Sequence, residues 1–141
     1  MRESLQKTLD QKRAKQAWDD IQSIASRPDD FKKKYGSLAR RVPMLVLTNG
    51  LGQTLAFLFS KAKFQEPPHK RSVEAKVHGE LYEHLSKWAV RQVAPSEKDM
   101  KLLDWVLNND NTAYRRATTE ALAYLSWLKR FAEAELPTEE G

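Results

Sequence analysis

The chain has no cysteine among its 141 residues. A disulfide framework and a thiolate metal site are therefore both excluded, and the absence fits a reducing cytosol. Glycine and proline are scarce, at five and six residues, and they gather at a few break points. No stretch alternates Val, Ile and Thr with polar residues, so no segment asks to be a strand. No repeat period is visible. Long apolar runs are also missing. Val42 to Leu47 and Leu51 to Phe59 are parted by Thr48, Asn49 and Gly50, well short of the roughly 18 apolar residues of a membrane span. Lys7, Lys12, Arg13 and Lys15 near the start precede no apolar stretch of the kind a secretory signal needs. A cytoplasmic protein with no membrane contact is expected.

What is present is enough to build a core. Apolar residues make up 40 % of the chain and 13 residues are Phe, Trp or Tyr, too many for a disordered segment. The length suits one domain, 1–141. The net charge of +5 is unevenly spread: residues 1–41 carry +5, residues 42–94 carry +3 and residues 95–141 carry −3. A basic front and an acidic tail, Glu133 through Glu140, allow a nucleic-acid face beside a separate protein-contact surface. Charge alone is equally served by a solvated, ion-rich surface.

The 3.6-residue period runs through most of the chain. A first helix is predicted over about Ser4 to Ala25, with Ala14, Ala17, Trp18, Ile21 and Ala25 on one stripe. Pro28 disfavours helical geometry in Arg27 and stops it. Asp29 or Asp30 is placed to cap a second helix, which turns Phe31, Tyr35, Leu38 and Ala39 inward and Lys32, Lys33, Arg40 and Arg41 outward. Pro43 suits the first turn of a third helix. That segment, Met44 to Phe59, is apolar almost all round and belongs at the centre of a bundle, with a break at Asn49, Gly50 and Gly52. Residues 63–71 read as a loop. Val73, Val77, Leu81, Leu85 and Trp88 mark a fourth helix. Ser96 with Asp99 resembles a capping box opening a fifth, with Met100, Leu103, Val106 and Leu107 as its stripe. The last helix is predicted from about Thr112 to Glu135. Tyr114, Ala117, Ala121, Leu125, Leu128 and Ala132 lie on its core face, which Tyr124, Trp127 and Phe131 widen. Residues 136–141 are expected to fray. The sum is all-α: a compact, single-domain bundle of about six helices.

Chemistry is hard to find in this pattern. His69, His78 and His84 do not pair at metal-ligand spacing. Glu80 and His84 share a helix face and read as a solvated ion pair. No G-x-S-x-G or Walker-type loop is present. Asp19 and Asp20 are expected to face water. Glu120 sits beside the packing stripe of the last helix and reads as a partly buried carboxylate bonded to Arg116, Thr118 or Tyr124. No catalytic residue, metal or cofactor is assigned. The four tryptophans fit core packing better than base stacking. Basic residues remain: Lys12, Lys15, Arg40, Arg41, Arg115, Lys129 and Arg130 are of the kind that contacts phosphates without reading sequence.

Two strings go beyond periodicity. One runs from Tyr35-Gly36-Ser37-Leu38-Ala39-Arg40-Arg41-Val42-Pro43 to Thr48-Asn49-Gly50-Leu51-Gly52-Gln53-Thr54-Leu55-Ala56-Phe57. The other is Tyr114-Arg115-Arg116-Ala117-Thr118-Thr119-Glu120-Ala121-Leu122, continuing through Trp127-Leu128-Lys129-Arg130-Phe131. With Gln11 to Ala17 on the first helix, this order resembles the small helical subunit of the type III-B CRISPR RNA-silencing (Cmr) complex. The resemblance covers nearly the whole chain. It implies an all-helical, non-enzymatic subunit of an antiviral ribonucleoprotein. Copies of such a subunit stack along a filament beside the backbone subunits that hold the guide RNA, help form the groove for the crRNA/target RNA duplex, and reach the large polymerase-like subunit. A helical protein-interaction module without nucleic-acid contact is the alternative.

Overall fold

The computed structural model describes residues 2–97 and 99–139, with side chains from Thr8 onward. Apolar periodicity becomes packing most plainly in α6 (Asn111–Glu135). Its stripe of Ala117, Ala121, Tyr124, Leu125, Leu128 and Ala132 is buried. The small residues on that stripe let three helices approach closely, and α6 packs at once against α1 (Arg2–Ala25), α2 (Asp29–Asn49) and α4 (Val73–Val93). α3 (Leu51–Ala62) and the short α5 (Leu102–Leu107) close the bundle against α4. One apolar cluster runs through all six, from Ile21 and Ile24 through Leu38, Leu55 and Leu85 to Leu102 and Leu125. Among the described residues there are six α-helices, two short 3-10 turns and no strand, as expected of an all-α chain. Among the described residues, no helix is long and apolar enough to cross a membrane.

The predicted boundaries fail in three places, each for a physical reason. α2 runs straight through Pro43 and ends at Asn49. A proline inside a helix removes one hydrogen bond and costs about 3 kcal/mol. Here Leu38, Ala39, Val42 and Val46 form one buried stripe across it, and that burial outweighs the loss. The real break is Gly50, with φ 89° and ψ 159°, a backbone region essentially confined to glycine. Gly50 closes α2 by donating to Val46 O at 2.9 Å and opens α3 by accepting from Thr54 N at 3.1 Å. Gly50→Ala is expected to cost about 1–3 kcal/mol in urea unfolding, because the new Cβ would also sit 3.2 Å from Tyr114 Oη.

Helix starts differ too. Asp29 and Asp30 stand in the first turn of α2, and Pro28 occupies its cap position with no side-chain bond. Ser96 lies in a 3-10 turn and does not cap α5. α5 begins instead where Leu102 N–H donates to Ser86 Oγ of α4 at 2.6 Å, a partner 16 residues away. Ser72 and Asp110 are the side-chain caps, accepting from Ala75 N and Ala113 N respectively.

The end of the chain, as far as Glu139, lies on α2 rather than fraying. Leu136 is buried, and Glu139 N donates to Ser37 Oγ at 2.9 Å. Gly36 makes this crossing possible, since a Cβ there would come within 2.3 Å of Pro137 O. Residues 140 and 141 lie outside the described residues.

Candidate nucleic-acid interface

Two buried carboxylates lock the helices that carry the basic residues. Glu120 on α6 accepts from Arg13 Nε at 3.0 Å, Arg13 Nη2 at 2.7 Å and Trp88 Nε1 at 2.9 Å. It thus ties α1, α4 and α6 with one bidentate pair and one indole bond. The expected partners Arg116, Thr118 and Tyr124 are not among these. Arg13 projects from the α1 face that packs on α6, whereas Arg116 is exposed. The Glu120 carboxylate raises the Arg13 pKa further.

Asp20 is the second lock, and it is buried rather than facing water as expected. It accepts from Tyr124 Oη of α6 and from Gln16 Nε2 at 3.0 Å. His84 Nε2 of α4 stands 3.8 Å from it. On its other side His84 Nδ1 meets Tyr35 Oη of α2 at 2.7 Å. The spacing Ala17, Asp20, Ile21, Ile24 already places Asp20 on the inward stripe of α1. Glu80 does not bind His84: its carboxylate takes Arg27 Nη2 at 2.7 Å. Among the described residues, no three His, Cys, Asp or Glu converge as a metal site would require.

Burial lowers the His84 pKa below 6.5, opposed in part by the Asp20 and Glu80 carboxylates and reinforced by Arg27 and Lys87. The folded chain therefore holds fewer protons here than the unfolded chain once the pH falls through 6.5. Stability is expected to be full above that value and to fall as the pH drops below it. Urea midpoints at pH 7.5 and 5.5 should show the difference, and His84→Gln should flatten it.

The sequence-derived basic residues separate into groups. Arg41, Arg115, Lys129, Arg130, Lys12 and Lys15 are exposed and Arg40 is half-buried. Lys15 is already bound to Asp19, four residues on, at 2.7 Å. For the other six, no ion-pair partner is found among the described residues. Arg40 and Arg41 line a cleft of about 390 Å³ with Ser37, Thr138 and Glu139. Lys129 and Arg130 line another of about 510 Å³ with Pro43, Leu47, Leu122, Ser126 and Glu133. Arg40, Pro43 and Leu47 are three and seven residues apart, so they share one face of α2. α2 and α6 run antiparallel: Gly52 N–H donates to Tyr114 Oη at one end, and Gly36 meets Leu136 and Pro137 at the other. The first cleft lies between α2 and the segment that follows α6, and the second lies between α2 and α6; they share no lining residue, and each takes two of the four candidates. Arg115 lies elsewhere, beside Arg116, Leu9 and Val93. Lys12 and Lys15 line none of these clefts. Ser37 and Thr138 carry no sequence signal of their own and were missed.

Three likenesses accompany this geometry. Residues 9–135 match the family described as CRISPR-associated protein (Cas_Cmr5). CRISPR system Cmr subunit Cmr5 of Thermus thermophilus is 30 % identical over 128 residues, which is 91 % of this chain and 96 % of that protein. The crystal structure of a CRISPR-associated Cmr5 family protein from Thermus thermophilus superposes with a TM-score of 0.68 at 27 % identity, covering 90 % of this chain and 96 % of the other. Both strings that suggested a Cmr subunit fall inside the matched span, and this chain belongs to the CRISPR-associated Cmr5 family.

Proposed function

We propose that this chain is a non-catalytic subunit of a Cmr effector complex and contacts the phosphate backbone of target RNA. Arg40, Arg41, Lys129 and Arg130 of the two clefts on α2 are the principal contacts. Arg115 and Lys12 are secondary, and Lys15 is the weakest because Asp19 already holds it. The observation that carries the reading is a pair of clefts on α2 that hold four cations: Glu139 and Glu133 line the same clefts, but no carboxylate within ion-pair distance of the four is found among the described residues. Unpaired cations neutralise phosphates without reading sequence. Base pairing with the guide supplies specificity, as in other guided effectors. One copy meets few phosphates and binds weakly, and copies stacked along the filament gain by multivalency. The partners are then the subunits that hold the guide RNA, the large polymerase-like subunit and further copies of this chain, all in the cytoplasm.

The test is a complex reconstituted with and without this chain. Stoichiometric incorporation, with target-RNA binding weakened and its salt dependence reduced on omission, is the expected result. A second reading, a protein-interaction module without RNA contact, draws on Met44 and Leu47, which are 63 % and 66 % exposed on α2. It predicts that omission loosens assembly while the salt dependence of target binding stays unchanged.

A further inference from the structure

We infer that Ser37, Arg40, Arg41 and Thr138 form a seat for one phosphate group, completed by the C-terminal strap. This deepens the RNA-contact reading and rests on it for the source of the phosphate. The cleft of about 390 Å³ is within the roughly 300–1,000 Å³ typical of small-ligand sites. Arg40, which lines it, is unusual. Arg40 Nε is buried with no hydrogen-bond partner, whereas buried donors are nearly always paired. A guanidinium fork is the side chain best matched to two phosphate oxygens. Ser37 Oγ accepts from Glu139 N at 2.9 Å, which leaves its own O–H to donate. Arg41 and the Thr138 hydroxyl stand at the same cleft. Arginine and hydroxyl donors thus line one cleft, and an anion entering it would pair with them after a small shift of the Arg40 side chain.

One group opposes the anion. Glu139 lines the cleft, and its carboxylate is held by Lys34 Nζ at 3.3 Å. Lys34 also takes Asp30 at 3.3 Å. The strap therefore has two effects with separable tests: it supplies Thr138 and orders Ser37, and it brings a negative charge to the mouth. A plain basic patch would bind phosphate better with the acidic strap removed. A built seat needs the strap docked.

The experiment follows the Arg40 Nε–Hε signal and the Glu139 backbone amide, which donates to Ser37 Oγ, in ¹H–¹⁵N spectra of the full chain. Inorganic phosphate and a short single-stranded RNA are titrated in separate arms. The expected result is a saturable shift of both signals with both probes. Arg40→Gln, read at the Glu139 amide, weakens binding of the probe roughly tenfold or more, as the loss of a charge-assisted fork implies. Glu139→Gln tightens it roughly threefold, the effect of removing one partly screened charge nearby. Gly36→Ala, which displaces Pro137 and keeps both arginines, weakens it. A shift with RNA alone assigns the seat to a phosphodiester. A shift with inorganic phosphate alone assigns it to free phosphate. If neither probe moves the Arg40 signal, or if Gly36→Ala binds phosphate as tightly as the parent chain, the seat is overturned. Should the reconstituted complex hold target RNA through this chain while Arg40 stays silent, the seat falls and the RNA-contact reading stands. Glu139→Gln is a surface change, so the test survives even where Arg40→Gln impairs folding.

Discussion

Replacing Glu120 with alanine is expected to destabilise the chain by about 3–5 kcal/mol, the usual cost of removing one partner from a buried ion pair. The Arg13 side chain is 18 % exposed and that of Glu120 is 10 % exposed, so the guanidinium, left only with Asp10 at 3.4 Å, is neither well paired nor fully resolvated. Trp88 Nε1 loses its acceptor at the same time. The measurement is urea unfolding, where the midpoint should fall at unchanged slope. Glu120→Gln, which keeps an acceptor for Trp88, should cost less. Arg13→Met combined with Glu120→Leu should recover part of the loss, because no charge is then left buried; the indole N–H remains unpaired, so recovery is incomplete. A loss below about 1 kcal/mol for Glu120→Ala would mean that this triad is solvated and does not hold α1 to α6.

Changing Arg40, Arg41, Lys129 and Arg130 together to glutamine is expected to weaken target-RNA binding by the reconstituted complex. Each single-strand phosphate contact contributes a slope of about 0.7 in log affinity against log salt. Four lost contacts should reduce that slope by about 3 and the affinity about a hundredfold near 0.15 M salt. Stability should change little, since no ion pair to these four is found among the described residues. Lys12→Gln with Lys15→Gln should have a smaller effect, because Lys15 is already engaged by Asp19. An unchanged salt slope in the fourfold variant would move the RNA contact away from these two clefts.

Much of the candidate site is legible in the residues alone, but only as a set of cations. Nothing in the sequence separates Arg40, which has a buried Nε, from Lys15, which is paired on the surface. Arg13 stands out in the sequence only as one of several cations near the start, yet it makes the principal ion pair of Glu120. Asp20 could have been read as inward from its place between Ala17 and Ile24. Two adjacent aspartates suggest water unless a partner such as Tyr124, 104 residues later, is known. The same holds for Glu80, which leaves its helical neighbour His84 for Arg27, 53 residues back.

Local rules suffice wherever a segment decides its own conformation. The 3.6-residue stripes of α4 and α6, the absence of β alternation, the stop at Pro28 and the glycine break near residue 50 all follow from short stretches of sequence. So does the family, through two strings of residues. Long-range packing decides the rest. It carries α2 through Pro43, because a buried stripe on both sides outweighs one lost hydrogen bond. It starts α5 at Leu102, because Ser86 of another helix offers the acceptor. It lays Leu136 to Glu139 over Gly36, and it sets Arg40 and Arg41 in one cleft on α2 and Lys129 and Arg130 in another. These outcomes depend on partners dozens of residues apart, whose proximity is fixed by how the helix faces pack and by no local propensity.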